Sequence, residues 1–302
     1  MEIIFFKDCS YKNKNLVGGK CSSLGELYHL SQKLNFSIAD GFAITTLLYD
    51  NYIKENDLQD FIENCLSEID YNNIQNIEES STLLINAISR GNFTEQQEQD
   101  IASAYEKLCD KYELKDLDVA IRSSAIAEDL PNASFAGQQD TFLNIKGVQN
   151  VIQNVKLCFA SLFNTRALSY RHSQNIGIED IKISVAVQKM VRSDIGSAGV
   201  AFSLDPETGY NKAVVINSAF GLGELVVSGA VKPDEIICDK RTLQIIDADP
   251  IIMKKIGNKD TKIIYDKDGG TTTIETNRIE KINFSIDCLL YTSDAADDFT
   301  SV

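Results

Sequence analysis

The chain has 302 residues, of which 43% are hydrophobic and 24% charged, an ordinary composition for a soluble globular protein with a sizeable core. Its formal net charge of −15 argues against general nucleic-acid binding, because phosphate backbones require a basic surface. The same charge does not exclude nucleotides, since a few local cations and backbone amides can hold a phosphate group.

The seven cysteines are scattered singly along the chain, without a C-x-x-C motif or a histidine at metal-ligand spacing, which argues against zinc. We interpret them as free, mostly buried thiols in a reducing cytosol. The N-terminal MEIIFFKDCS lacks a basic region and a cleavage site, and no apolar run reaches the length of a membrane span. The sequence therefore predicts a cytoplasmic protein without a membrane partner.

The first part of the chain, about residues 1–115, has mainly helical patterns. After VGGK, the segment SSLGELYHLSQKL has an amphipathic pattern, with one face formed by Leu24, Leu27, Leu30 and Leu34. Further helical patterns cover Ile74 to Ile88 and the stretch after Thr94, which is a good N-cap. We predict a helix-rich layer up to about Lys115.

The second part, about residues 116–287, contains short apolar segments separated by turn signals such as DPETG and DKDGG. Val119 to Ile121 and Thr141 to Ile145 have the composition of strands, and Val148 to Tyr170 has helical spacing. From Ile183 onward the chain is rich in strand patterns. This mixture predicts an α+β fold around an antiparallel sheet, in one domain over residues 1–287.

A polar segment connects the first two predicted strands of this second part. The guanidinium of Arg122 can grip phosphate oxygens in a planar fork, and Gly137 lets backbone amides approach a phosphate closely. The hydroxyls of Ser123, Ser134 and Thr141 can add donors. The alternative is a polar hairpin whose serine and asparagine side chains satisfy their own turns.

Two glycine segments border predicted helices. Lys20, after Gly18-Gly19, can reach an anion over a helix N-terminus, although by itself the motif is better explained by a flexible loop with a solvated lysine. In SAFGLGEL, Glu224 could lie near a metal or a ribose in a second glycine loop. It could equally belong to a tight strand-to-helix turn, where the helix dipole favours an acid.

Three further polar residues are judged by their surroundings. Gln188 lies in an otherwise apolar strand, so its amide needs partners, which an adenine edge or the backbone could supply. His29 and His172 have no serine, cysteine or carboxylate arranged as a relay, so we interpret both as structural or solvated.

Taken together, these segments resemble the ATP-binding domain of the phosphoenolpyruvate synthase and pyruvate phosphate dikinase family. The matching pieces, in family order, are VGGKCSSLGEL, DGFAITT, AIRSSAIAEDLPNASFAGQQDTFLNI, CFASLFNTRALSYR, AVQKMVRSDIGSAGVAFSLDPETGY and SAFGLGELVVSGAVKPDE. They cover the chain from Val17 to about Glu275. The resemblance implies an ATP-grasp-like fold, in which two α+β lobes clamp ATP, with Mg²⁺ accompanying the nucleotide.

The resemblance also implies roles for single residues. Lys20 and Arg122 look like the two cations that hold the ATP phosphates. Gly137 and Thr141 look like phosphate-loop positions, and Gln188 looks like an adenine-side contact.

Other positions are less well matched to the family pattern. Arg166 and Arg171 could be additional cations, but a helix surface is their expected place. The family usually has a proline before its Gly-Phe element, where this chain has Ala39 and Asp40.

Several family elements do not occur in this chain: the Asp-Ile-Glu metal motif, the Gln-x-Arg-Pro element, the phosphohistidine domain and the pyruvate barrel. The metal ligands are therefore expected outside it. The stretch CLLYTSDAADD, from Cys288 to Asp298, looks like the translation of a sequencing adaptor, with a genuine frayed terminus as the alternative. We expect an N-terminal fragment followed by a non-native tail over residues 288–302.

The resemblance implies that the parent enzyme converts pyruvate to phosphoenolpyruvate with ATP and water, through a phosphohistidine on another domain. Alone, this chain would bind ATP weakly and turn over nothing. It would reach pyruvate only through missing domains and could form a homodimer. One alternative is the ATP domain of a rifampicin phosphotransferase, which is similar over the same region. Another is a nucleotide-binding module that was never catalytic.

Overall fold

The computed structural model of the chain describes residues 1–34, 36–125, 129–130, 133–134, 140–174, 176–177, 182–242, 245, 248–266 and 270–286. The chain divides into two compact units. Unit 1 comprises Met1–Lys33 and Ile38–Met190, and unit 2 comprises Leu34–Ser37 and Val191–Val302. This division does not follow the change from helical to strand patterns near residue 115.

The first 190 residues contain both helices and strands. The helices are α1 (Lys14–Leu34), α2 (Thr46–Glu55), α3 (Gln59–Ser67), α4 (Ile74–Arg90), α5 (Glu95–Lys111), α6 (Val148–Ala160) and α7 (Thr165–Gln174). The strands are β1 (Ile3–Phe5), β2 (Gly41–Ile44), β3 (Val119–Ala125), β4 (Asp129–Leu130), β5 (Ala133–Ser134), β6 (Thr141–Ile145) and β7 (Ile183–Lys189).

An antiparallel sheet in the order β1-β2-β7-β3-β6 forms the centre of unit 1. Side chains alternate between the two faces of a strand, so Ile121, Val185 and Val187 share one face. That face packs into a large buried cluster with α2, α4, α5 and α6. The alternation leaves the opposite face free to carry polar residues.

The helical layer follows the predicted pattern in α4, α5 and α6. Thr94 caps α5 in a capping box with Gln97, as predicted. The inward positions of α6 are buried, and the aromatic ring of Phe159 packs against Tyr49, Tyr52 and Phe93. The predicted helix over Val148 to Tyr170 is two helices, α6 and α7.

Helix α1 packs through its small residues and not through its leucine stripe. Gly25 lies so close to the backbone of Cys9 that a Cβ at Gly25 would be 2.1 Å from the Cys9 carbonyl oxygen. Leu24 is only partly buried, and the rest of the stripe is exposed, namely Leu27, Leu30 and Leu34. The amphipathic pattern therefore predicted the helix but not the side of it that faces the sheet.

Unit 2 is built on a second antiparallel sheet. Its strands are β8 (Ser197–Phe202), β9 (Ala213–Phe220), β10 (Asp234–Asp239) and β11 (Ile251–Lys255), in the order β11-β10-β9-β8. A hairpin of β12 (Thr261–Tyr265) and β13 (Thr271–Glu275) and the short helices α8 (Glu224–Val227) and α9 (Arg278–Ile282) complete it. Ile216, Ile236 and Cys238 form its small apolar cluster.

A fully buried ion pair joins three segments of unit 2. Lys259 Nζ lies 2.5 Å from Asp234 Oδ1, and neither side chain is more than 1% exposed. The amide of Gly257 also donates to Oδ1, at 2.9 Å. The amide and hydroxyl of Ser285 donate to Asp234 Oδ2 at 2.7 and 2.8 Å. Asp234 thereby ties the start of β10 to the loop after β11 and to the segment after α9.

The cysteines that the structure describes are free, and all but the half-buried Cys65 are buried, as predicted. Over the described residues, no helix is long and apolar enough to cross a membrane.

We expect Asp234→Asn to lower the free energy of unfolding of unit 2 by about 3 to 5 kcal/mol, because it leaves the buried Lys259 ammonium without a counter-charge. Urea unfolding of the chain, followed by circular dichroism, measures this change. The control is Arg241→Gln, which removes an exposed ion pair with Asp239 and should leave the midpoint unchanged. Equal midpoints for the two variants would contradict the role of the buried pair.

Candidate functional site

The polar face of the unit 1 sheet brings three of the predicted site residues together. Arg122 of β3 pairs directly with Thr141 of β6 and with Ala186 of β7. Gln188 lies two residues further along β7, and Arg122 Nη1 donates to its Oε1 at 3.4 Å. Because residues two apart on a strand share a face, Arg122, Thr141 and Gln188 lie on the same side of the sheet.

The glycine motif before α1 docks directly on β3. Gly18 interrupts the helix with φ +74°, in the left-handed region that glycine favours. A Cβ at Gly18 would lie 2.0 Å from the Ser124 carbonyl oxygen. The buried Ser124 hydroxyl donates to Val17 O at 2.9 Å and accepts from the amide of Cys21 at 3.2 Å. The absence of a side chain at Gly18 is thus what permits the contact.

This docking brings Lys20 to the strand that carries Arg122. Lys20 Nζ donates to the Ser123 carbonyl at 2.9 Å, across a sequence separation of 103 residues. The two motifs that the sequence presents separately are therefore one structural feature, and the lysine contacts the residue next to the arginine. We call Lys20, Arg122, Thr141 and Gln188 the sheet-face site.

Cys21 lies beside this site as a neutral thiol. Burial raises its pKa to about 11, although hydrogen bonds with Ser124 and Ser184 and the charges of Lys20 and Arg122 act in the opposite direction. A thiol with this pKa is almost entirely protonated near neutral pH, so it is a weak nucleophile.

Gln188 has a backbone partner, which was one of the two alternatives for its buried amide. Its Nε2 donates to the Ala39 carbonyl at 3.0 Å, in the turn before β2. Its Oε1 is then directed toward Arg122. The side chain bridges the two neighbours of β7, and its remaining hydrogen-bonding capacity faces the polar side of the sheet.

Three of the other predicted site residues lie on elements that the structure describes. Ser123 pairs with Val185, so its buried side chain faces the helical layer and only its carbonyl contacts Lys20. Ser134 pairs with Asp129 in the β4–β5 hairpin. Gly137 lies outside the described residues. Glu224 is exposed at the first position of α8 in unit 2.

Arg171 is buried, so its expected place on a helix surface was wrong, whereas Arg166 is exposed as expected. The guanidinium carbon lies 5.2 Å from the ring centroid of Phe163, and its two terminal nitrogens have no hydrogen-bond partner among the residues that the structure describes. Burial lowers its pKa to about 10, which still leaves the group charged at neutral pH. The two histidines, His29 and His172, are exposed, and His172 stacks on Tyr71 with 3.8 Å between the rings.

No cluster of three or more histidine, cysteine or acidic side chains that could hold a metal occurs in the part of the chain that the structure describes. The groups that the sheet-face site offers are two cations, an amide and a hydroxyl.

We expect Gly18→Ala to lower the free energy of unfolding by more than about 2 kcal/mol, since it adds a clash with β3 to the strain of a left-handed backbone. The matched control is Gly147→Ala, also at positive φ (+79°), where an added Cβ would meet only Asp116 Oδ1, at 3.8 Å. Thermal unfolding of both variants separates the clash from the strain. A Gly18→Ala change that costs no more than the control would refute the docking.

Comparison with known proteins places the chain in a family. The family described as "Pyruvate phosphate dikinase, AMP/ATP-binding domain" matches residues 14–290. A phosphoenolpyruvate synthase of Helicobacter pylori is 45% identical over 287 residues, which cover 94% of this chain and 35% of that protein. The phosphoenolpyruvate synthase of Synechocystis sp. is 41% identical, over 94% of this chain and 35% of its own length.

A third phosphoenolpyruvate synthase, from Aquifex aeolicus, is 43% identical over 87% of this chain and 31% of its own length. The chain therefore spans about a third of the length of these relatives. Because the family match covers most of the chain, including the sheet-face site, the chain belongs to the pyruvate phosphate dikinase AMP/ATP-binding domain family.

Proposed function

We propose that this chain is the ATP-binding part of a phosphoenolpyruvate synthase and that the sheet-face site holds the nucleotide. The observation that carries the proposal is the convergence of Lys20 and Arg122 on neighbouring positions of β3, from segments 103 residues apart. Two fixed cations on one polar sheet face, beside a glycine-bearing turn, are suited to a polyphosphate. The family to which the chain belongs is named for AMP and ATP binding.

On the phosphate side, we assign Lys20 and Arg122 to the ATP oxygens. Arg122 presents a planar fork that can make two parallel hydrogen bonds, whereas Lys20 acts as a point charge. The hydroxyl of Thr141 is exposed directly opposite Arg122, where it can add a donor. Phosphoryl transfer depends mainly on positioning and charge neutralisation, which are the properties that these side chains supply.

On the base side, we assign Gln188 to the adenine edge. An amide can donate and accept, which matches the paired donor and acceptor of adenine. Gly137 and Ser134 are proposed for the loop over the phosphates, Ser123 contributes its carbonyl to the position of Lys20, and Glu224 is proposed on the second lobe of an ATP-grasp-like fold. Mg²⁺ is expected with ATP, through ligands outside the described residues.

The reaction that we propose for the whole protein consumes pyruvate, ATP and water and yields phosphoenolpyruvate, AMP and phosphate. A phosphohistidine on another domain would carry the transferred phosphoryl group. The relatives at 41 to 45% identity are named phosphoenolpyruvate synthases, which favours this reaction over transfer to rifampicin and over a module without catalysis. A cytoplasmic location and a homodimer stay predictions.

We expect Arg122→Ala to weaken ATP binding by the 302-residue chain roughly 10- to 100-fold, since it removes charge-assisted hydrogen bonds to the phosphates. Isothermal titration calorimetry measures the dissociation constant. Arg166→Ala, which removes an exposed arginine from α7, is the control with the same change of charge and should bind ATP as the unchanged chain does. Equal ATP affinity in the two variants would remove Arg122 from the site.

The proposed reaction is tested separately in the full-length protein that contains this chain. We expect repeated turnover of ATP to AMP and phosphate only when pyruvate is added, in step with phosphoenolpyruvate, and this can be followed by phosphorus NMR. Without pyruvate, a single equivalent of AMP and phosphate per enzyme should form as the histidine becomes phosphorylated. We expect Arg122→Ala to abolish all three products together. Continued release of AMP without pyruvate, beyond a single equivalent per enzyme, or formation of ADP as the final product, would contradict a synthase.

A further inference from the structure

The amide of Gln188 has one orientation because of a single backbone carbonyl. Nε2 donates to Ala39 O at 3.0 Å, and this leaves Oε1 as the acceptor for Arg122 Nη1 at 3.4 Å. Rotation of the amide by half a turn would place two donors against each other at Arg122 and two acceptors at Ala39. The position of the Ala39 carbonyl therefore decides which amide atom is presented to a ligand.

The turn that carries the Ala39 carbonyl is held by the side chain of Asp40. Asp40 Oδ1 accepts from the amide of Gly41 at 2.7 Å, and Oδ2 lies 2.5 Å from Lys111 Nζ, at the C-terminal end of α5. The carbonyl of Asp40 accepts from the amide of Lys189 at 2.8 Å, next to Gln188. Both the side chain and the backbone of Asp40 thus anchor the turn.

Lys111 itself is held among aromatic rings. Its Nζ lies 5.7 Å from the ring centroid of Tyr28 and 5.9 Å from that of Tyr112. Burial alone would lower the pKa of Lys111, but its hydrogen bond and charge interaction with Asp40 outweigh burial and raise it. The ammonium is therefore charged and directed at Asp40 under ordinary conditions.

We propose that the Asp40–Lys111 ion pair positions the Gln188 amide and thereby sets the selectivity of the site for adenine over guanine. This inference rests on the proposed function, because it assigns Gln188 to the nucleotide base. The series of contacts begins with the ion pair between Lys111 and Asp40. It continues from the neighbouring Ala39 carbonyl to Gln188, and from Gln188 to Arg122. Neither Asp40 nor Lys111 needs to touch the ligand, so both act as positioning residues.

The test compares Asp40→Asn and Lys111→Met with a matched variant in the 302-residue chain. Lys182→Met removes a lysine from a half-exposed ion pair with Asp50, at the opposite end of β7 from Gln188. We expect the two test variants to weaken ATP binding roughly tenfold and to reduce the preference for ATP over GTP. We expect Lys111→Arg to retain both properties and Lys182→Met to change neither.

A second measurement does not need a nucleotide. In the chain with ¹⁵N-labelled glutamine, we expect the side-chain NH₂ signal of Gln188 to move and to exchange faster with water in both test variants. The signal should stay unchanged in Lys182→Met. If the Gln188 signal is unaffected in Asp40→Asn and Lys111→Met, the inference is overturned whether or not ATP binds.

The outcomes distinguish the inference from the proposed function. A chain that binds ATP, with variants that keep the same ATP-to-GTP ratio, refutes the positioning role and leaves the proposed function intact. If the unaltered protein binds no ATP but the Gln188 signal changes as expected in Asp40→Asn and Lys111→Met, the proposed ligand is refuted. The series of contacts from Lys111 to Gln188 is then supported.

Discussion

The contact between Gly18 and β3 is the constraint on which the sheet-face site depends. The Ser124 hydroxyl is fully buried and satisfied on both sides, as a donor to Val17 and an acceptor from Cys21. This places the backbone around Gly18 against the strand with no room for a side chain. Since Lys20 follows two residues later, its reach to the Ser123 carbonyl is a consequence of the same contact. The spacing of the two cations is therefore set by backbone packing and not by the flexible side chains themselves.

Because side chains alternate along each strand, neighbouring residues of the sheet have different roles. Ile121 and Val187 pack into the helical layer, while Arg122 and Gln188, one position along each strand, face the other way. Burial of the apolar face fixes the backbone of the strands. The residues on the polar face are therefore held in place without a further loss of backbone entropy. A site on such a sheet needs few hydrogen bonds of its own to stay preorganised.

Patterns along the sequence predicted the local elements well, because they depend on near neighbours. The strands around Arg122 and Thr141 and the cap at Thr94 are where their patterns indicate. Periodicity could not show that α1 turns its leucines outward, because that depends on the close approach of Gly25 to Cys9. It also missed the burial of Arg171, which depends on how α7 packs against residues far away in the chain.

Sequence patterns were limited in the same way for the sheet-face site, because its residues meet through long-range packing. Sequence motifs identified Lys20, Arg122 and Gln188 separately, and the resemblance to a family joined them. No local rule shows that a lysine meets a carbonyl 103 residues away, because strand register and a left-handed glycine decide that distance. Asp40 stood out only as a departure from a family proline. Its role is visible once Lys111, from a helix 71 residues further on, is seen to reach its carboxylate.

The partner of Arg122 matters for an acidic protein. The chain carries a net charge of −15, so its average field repels a polyphosphate, and attraction has to come from a few groups at close range. Within the described part of the chain Arg122 forms no ion pair, and its side-chain partner is the neutral amide of Gln188. A carboxylate in that place would orient the guanidinium equally well but would cancel its charge. An amide orients it without neutralising its charge. Because Coulomb attraction grows as distance and local dielectric fall, a cation that no described carboxylate neutralises, on a half-buried sheet face, can outweigh acidic residues that are distant and screened by salt.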